Sequence, residues 1–225
     1  MPPAPPPARL RSTPNRLLLA PGTRLWRVHQ QRFPADGFNP NGADEHFGGG
    51  RFDSTPSDPY PFLYAASTDT TALAEVFLRG LPFDDRGARI LPRKLLAGRR
   101  LSRVELIGEV TLLTLLSTLD LAAVGQDEWL VQAEAAAYGQ TRHWAHWLRR
   151  QAPWAQGFIW QSKRNLPERA VVLFGDRCPP GLLRAVPDPP PEDLDSVDGA
   201  LLLRRLLVPY GVTVRLPQTT VLATS

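Results

Sequence analysis

The chain has a single cysteine, Cys178. Without a second thiol there is no internal disulfide and no cysteine-rich zinc site, which fits a reducing compartment. Lysine is scarce as well: Lys94 and Lys163 are the only two, and the rest of the 26 basic residues are arginine. No apolar run approaches the roughly 18 residues of a membrane span. Met1 to Pro14 holds six prolines and no apolar segment of the kind a secretory signal carries. Gly48-Gly49-Gly50 is not followed by the Gly-Lys-Ser/Thr of a Walker loop and is not GxGxxG, and no GxSxG elbow occurs. These absences predict a soluble, cytoplasmic protein held together by its core alone.

What is present suits a globular domain. With 225 residues and 43% hydrophobic content, the chain can bury a sizeable core as one domain with appendages. The net charge is +4. The arginine excess reads either as coding bias or as a surface for phosphates or nucleic acid. Pairs such as Arg99-Arg100, Arg149-Arg150 and Arg204-Arg205 are scattered, and no helix-turn-helix or RNA-binding signature accompanies them.

Residues 1–15 read as a proline-rich, disordered tail. Thr23 to His29 alternates as a strand, with Leu25, Arg27 and His29 on one face and Trp26 and Val28 on the other. Phe33 to Pro59 reads as a long loop broken by a short strand around Arg51. Pro61 to Ala66 is a short apolar strand, then Ser67, Thr68 and Asp69 offer N-caps to a helix over Thr70–Arg79 that stops at Gly80. Arg103 to Val110 fits a strand, and Leu112 to Leu121 fits a buried helix or strand. Glu128 to Gln151 is the longest helical segment. Gly157–Ser162 and Arg169–Phe174 are strands. Residues 178–195 form a Pro/Asp linker, and Ala200 to Leu216 holds a Leu/Arg helix and a short strand.

Several features have plain readings. The glycine triplet can cradle a phosphate or be a flexible loop. His143 and His146 sit three apart on the long helix, but no cysteine or well-spaced carboxylate completes a metal set, so no metal is expected. Trp144 and Trp147 fit packing better than a cofactor box, and Cys178 beside two prolines reads as inert.

Three segments stand in order: LWRVH (25–29), then GGRFDS (49–54) with PFLYAASTDTTALAEVF (61–77), then GFIWQSKR (157–164) before a strand and FGDR (174–177). In these, and in YGQTRHWAHWL (138–148), the chain resembles the RES family, named for its Arg, Glu and Ser. The likeness runs from about Thr23 to Arg177. It implies an α+β fold like that of ADP-ribosyltransferase toxins, a mixed core of two small β-sheets with flanking helices around an NAD cleft. It implies domain limits of 1–15 for the tail, 16–177 for the catalytic domain and 178–225 for a C-terminal extension. It also implies an NAD+ glycohydrolase, NAD+ phosphorylase or ADP-ribosyltransferase, with water, phosphate or a protein side chain as acceptor. The partner implied is a helix-turn-helix (Xre-like) antitoxin, and a homodimer is compatible with the family. Arg27, Glu75 and Ser162 are the implied catalytic residues. Arg27, His29, Arg51, Tyr64 and Ser162 are the implied NAD+ contacts.

The side chains suit that chemistry. Breaking the nicotinamide–ribose bond builds positive charge on the ribose, which a carboxylate such as Glu75 stabilises. The dianionic pyrophosphate is matched by permanently charged guanidiniums, Arg27 or Arg51. Tyr64 can stack on nicotinamide or bond a ribose hydroxyl. Ser162 has no base to activate it, so it reads as an orienting group for the nicotinamide amide or a phosphate rather than a nucleophile. Taken singly, Arg27 reads equally as a surface strand arginine, Glu75 as a solvated helix residue, Ser162 as a turn residue and Tyr64 as a buried core tyrosine. A non-catalytic or nucleic-acid-binding module is the alternative.

Overall fold

The computed structural model describes residues 4–217. It is an α+β chain. The strands are β1 (Arg16–Leu19), β2 (Arg24–Gln30), β3 (Phe62–Ala66), β4 (Arg89–Leu91), β5 (Arg99–Leu106), β6 (Val110–Leu115), β7 (Gly157–Gln161), β8 (Arg169–Phe174), β9 (Leu183–Val186), β10 (Glu192–Asp193) and β11 (Val212–Val214). The helices are α1 (Asp69–Phe77), α2 (Thr118–Ala123), α3 (Trp129–Gln132), α4 (Tyr138–Gln151) and α5 (Val197–Leu207).

Nine strands form one mixed sheet in the order β1-β6-β7-β8-β3-β2-β5-β10, with β9 also on β5. A parallel pair, β4 with β11, stands apart. The large sheet is divided in the middle. β2 and β3 pair only at Trp26–Ala66, whereas β2 pairs with β5 over seven positions and β3 with β8 over five. Beyond Trp26 the rest of β2 has no ladder partner on its β3 side. The two small sheets implied above are therefore two halves of one sheet, hinged at a single residue pair.

Strand alternation sorts the core onto two faces. Leu63 and Ala65 of β3 join Leu25, Val104, Ile159 and Val171 on one face. Phe62 and Ala66 point the other way, Phe62 into a cluster with Trp144, Trp147 and Leu148 of α4, and Ala66 into one with Leu73 and Phe77 of α1 and Leu203 of α5. Thus α4 covers one half of the sheet and α1 the other, on the same side. Helix α1 starts where expected: Thr68 Oγ1 accepts from Thr71 N–H at 3.1 Å, and Asp69 occupies the first turn.

Some expectations change. Residues 4–15 carry no regular element, yet they are tied down rather than loose. Leu10 N–H donates to Gln151 Oε1, Asn15 Nδ2 to Asp120 Oδ1 and Trp144 Nε1 to Ala4 O. No strand forms around Arg51; that loop makes only isolated bridges, Asn39 with Phe62 and Thr55 with Asp58. The long helical segment is broken into α3, a 3-10 turn at Ala135–Ala137, and α4, because Ala133 and Glu134 take extended backbone. Leu112 to Leu121 divides into the end of β6 and the start of α2, where Ser117 and Asp120 form a capping box. The stretch read as a linker holds β9 and β10, both on the open edge of β5. Short edge strands between prolines leave almost no periodic signal. No helix among the described residues is long and apolar enough to cross a membrane.

Candidate active site

A cleft of about 770 Å³ opens where the sheet divides. Its walls include Arg27 to Gln30 of β2, Phe62 and Tyr64 of β3, Glu75, Val76 and Arg79 at the end of α1, and the glycine loop from Gly49 to Arg51. Asp53, Tyr138 and Trp160 also line it.

Glu75 faces this cleft from α1. Ser162 does not line it. The serine is fully buried, and its Oγ donates to Glu75 Oε1 at 2.5 Å. Ser162 sits just past β7 in a tight turn: its N–H donates to Glu168 O at 2.8 Å, and its Oγ accepts from Arg164 N–H at 3.2 Å. Ser162, expected to orient a ligand directly, instead bonds Glu75, and its buried hydroxyl lies outside the cleft lining. The basic residues after Ser162 serve the same turn. Lys163 and Arg164 both pair with Glu134, at 2.6 and 3.1 Å.

Arg27 Nη1 donates to Ala35 O at 2.7 Å and Gly37 O at 2.8 Å, so it also shapes the loop after β2. Burial pushes its guanidinium down to about 10, with Asp36 opposing, so it stays charged near neutrality. His29 is buried with both ring nitrogens engaged. Nδ1 lies 3.0 Å from Gln30 O, which can only accept, and Nε2 lies 2.8 Å from Ser102 Oγ. A neutral ring satisfies both bonds, Nδ1 donating and Nε2 accepting. Burial, reinforced by Arg27, lowers its pKa and favours that form. His29 thus supports the wall, and its nitrogens are not available to a ligand.

Arg51 is buried; its Nη2 donates to Ala133 O at 3.1 Å. Arg51 and Arg79 each place their guanidinium 5.3 Å from the Tyr138 ring centre. Tyr64 Oη accepts from Phe52 N–H at 2.9 Å. Burial, with the neighbouring Asp53 charge, holds its phenol protonated. Asp53 Oδ2 accepts from Gly50 N–H at 2.7 Å, while Oδ1 is buried with no hydrogen-bond partner among the described residues. Burial pushes this carboxyl up, against the pull of the Gly50 amide.

The glycine loop is held from below. Arg142 of α4 is 1% exposed, and its two Nη atoms donate to Gly48 O, Gly50 O, Asp44 O and Phe47 O. Gly50 has no room for a side chain: a Cβ there would lie 2.5 Å from Asp53 Oδ1 and 3.0 Å from Tyr64 Oη. Backbone atoms can therefore approach the cleft closely, and the loop is a built wall rather than a flexible link.

Arg27 and Glu75 thus share one arginine-lined cleft in the split sheet, with Ser162 bonded to Glu75 from behind its wall. The family profile described as RES domain matches residues 24–195. The chain belongs to the RES domain family. The match runs past Arg177, where the sequence likeness stopped, and takes in β9 and β10. Among solved structures, the chain is similar to one in "Crystal structure of the M.tuberculosis MbcT-MbcA toxin-antitoxin complex". The TM-score is 0.52 at 17% identity, over 75% of this chain and 84% of that one, a likeness of fold. No curated protein matches the chain.

Sequence reasoning did not single out Asp53, Arg79 and Tyr138, which line the cleft, or Arg142, which holds its glycine loop. Asp53, Tyr138 and Arg142 lie inside the segments that carried the resemblance, and Arg79 follows the end of α1, four residues after Glu75.

Proposed function

We propose that this RES protein is a toxin-type enzyme that consumes NAD+ by cleaving the nicotinamide–ribose bond, with water or phosphate as acceptor. The observation that carries the reading is the carboxylate of Glu75, fixed by Ser162 at the wall of an arginine-lined cleft. The C1′–N bond breaks and its electron pair leaves on the nicotinamide nitrogen, discharging the ring. An oxygen of water or hydrogen phosphate bonds to C1′ and gives up its proton. Glu75 stabilises the cationic ribose in between. Arg27, Arg51 and Arg79 answer the pyrophosphate. Tyr64 and Trp160 supply aromatic wall for a planar ring. No metal ligand enters this scheme.

The similar complex pairs a toxin with an antitoxin, and we propose that this chain too is held in check by a protein partner, a helix-turn-helix antitoxin. Release of free nicotinamide from NAD+ by the purified protein tests the activity. An intact NAD+ pool beside a folded protein would rule it out. Recovery of growth when a neighbouring small helix-turn-helix protein is co-expressed tests the partner.

A further inference from the structure

Five arginines line the cleft: Arg27, Arg32, Arg51, Arg79 and Arg99. None forms an ion pair among the described residues, whereas Arg24, Arg149 and Arg184, outside the cleft, all do. Only two carboxylates, Asp53 and Glu75, share the walls. Three cationic charges are therefore unmatched, one more than a pyrophosphate carries.

The arginines are also grouped. Arg51 and Arg79 meet at Tyr138. Arg32 and Arg99 lie elsewhere, at the far end of the β2–β5 ladder. Gln30 is opposite Arg99 in that ladder, and Gln31 N–H donates to Gly98 O at 2.8 Å just beyond it. Arg32 Nε donates to Gln30 Oε1 at 2.7 Å, which anchors the side chain on the same residue that Arg99 opposes. Its guanidinium also lies 4.8 Å from the ring centre of the exposed Phe33. The second cationic group thus sits at one end of the β2–β5 ladder, apart from the Arg51–Arg79 pair.

Building on the NAD+ reading, we infer that Arg32 and Arg99 form a subsite for a third phosphate, the one that NADP+ carries on its adenosine 2′ oxygen. A phosphate monoester presents up to two charges and three acceptor oxygens near neutral pH, which suits two guanidinium forks better than a neutral ribose hydroxyl does. Inorganic phosphate has the same chemistry, and the experiment separates the two sources.

The test measures kcat/KM for NADP+ and NAD+ in phosphate-free buffer, for the wild type, Arg32→Ala and Arg99→Ala. The wild type is expected to use NADP+ at least as well as NAD+. Each substitution is expected to lower the NADP+/NAD+ ratio about tenfold or more, the scale of one lost charge-assisted bond. An unchanged ratio overturns the subsite. So does a response to added inorganic phosphate that disappears in the variants while the ratio holds, because the arginines would then hold the acceptor. If the folded wild type consumes neither dinucleotide, the NAD+ reading itself fails. Calorimetric titration with ADP-ribose and its 2′-phosphorylated form then decides the subsite, and equal affinities overturn it.

Discussion

Ser162 and Glu75 are 87 positions apart, and the hydrogen bond between them spans the division in the sheet. Glu75 rides on α1, which packs on the β2–β5 half, while Ser162 caps the end of β7 in the other half. One side-chain contact therefore sets the carboxylate against the cleft that the division creates. Serine fits this task because a hydroxyl donates to the carboxylate and still accepts from Arg164 N–H.

Ser162→Ala should lower kcat for NAD+ consumption about tenfold or more with KM nearly unchanged, because the carboxylate is no longer held where charge develops. Stability should fall by only about 1 kcal/mol, the usual net worth of one such bond. Steady-state kinetics with a parallel thermal melt check this. A rise in KM alone would mean that Ser162 acts on binding.

Arg142→Ala should strip donors from four loop carbonyls at once. We expect a loss of roughly 3 kcal/mol, or roughly 6–12 °C in Tm for a chain of this size. Arg142→Lys should rescue little, since one ammonium cannot reach the span that a guanidinium fork does. Differential scanning calorimetry of both variants reads the outcome.

Gly50→Ala and Gly48→Ala should behave differently. At Gly50 a methyl group collides with Asp53 and Tyr64 in the cleft, so activity should drop at least about tenfold as the wall shifts. At Gly48 there is open space, but φ is +58°, so the cost is about 1 kcal/mol of left-handed strain with activity kept. Equal activity in the two variants would mean that the close packing at Gly50 does not shape the site.

Acid should destabilise the protein. Burial lowers the pKa of both His29 and His146 below the ordinary value of 6.5. Their folded forms bind protons less readily than their unfolded forms. The stability they contribute is thus complete above about pH 6.5 and is lost as pH falls from there toward the folded pKa values. Thermal melts from about pH 7.5 to about 5 should show a falling Tm, with a shallower fall in His146→Gln. A flat profile would mean that both rings bind protons in the fold as readily as in the unfolded chain.

The central elements were legible because their signals are local. β2, β3, α1, β7 and β8 each declare themselves by alternation or by a cap, as Thr68 does for α1. Glu75 and Arg27 were legible through the order of the segments that carry them. The roles of Ser162 and His29 were not, since both depend on what lies across the fold: Glu75 for the serine, Ser102 and the Gln30 carbonyl for the histidine. Arg142 looked like one arginine among many. Its importance comes from four glycine-loop and neighbouring residues folding back over α4, a long-range event with no periodic trace. β9 and β10 were hidden for a related reason, as their strand character comes from the free edge of β5.

We propose that Glu75 drives cleavage of NAD+ in the divided sheet. The most direct test follows nicotinamide release from NAD+ by the wild type and Glu75→Gln, in buffers with and without phosphate. Release by the wild type in at least one buffer is expected, with a loss of about a hundredfold or more in a folded Glu75→Gln protein. Release at the wild-type rate by the variant, or none by a folded wild type in either buffer, would contradict it.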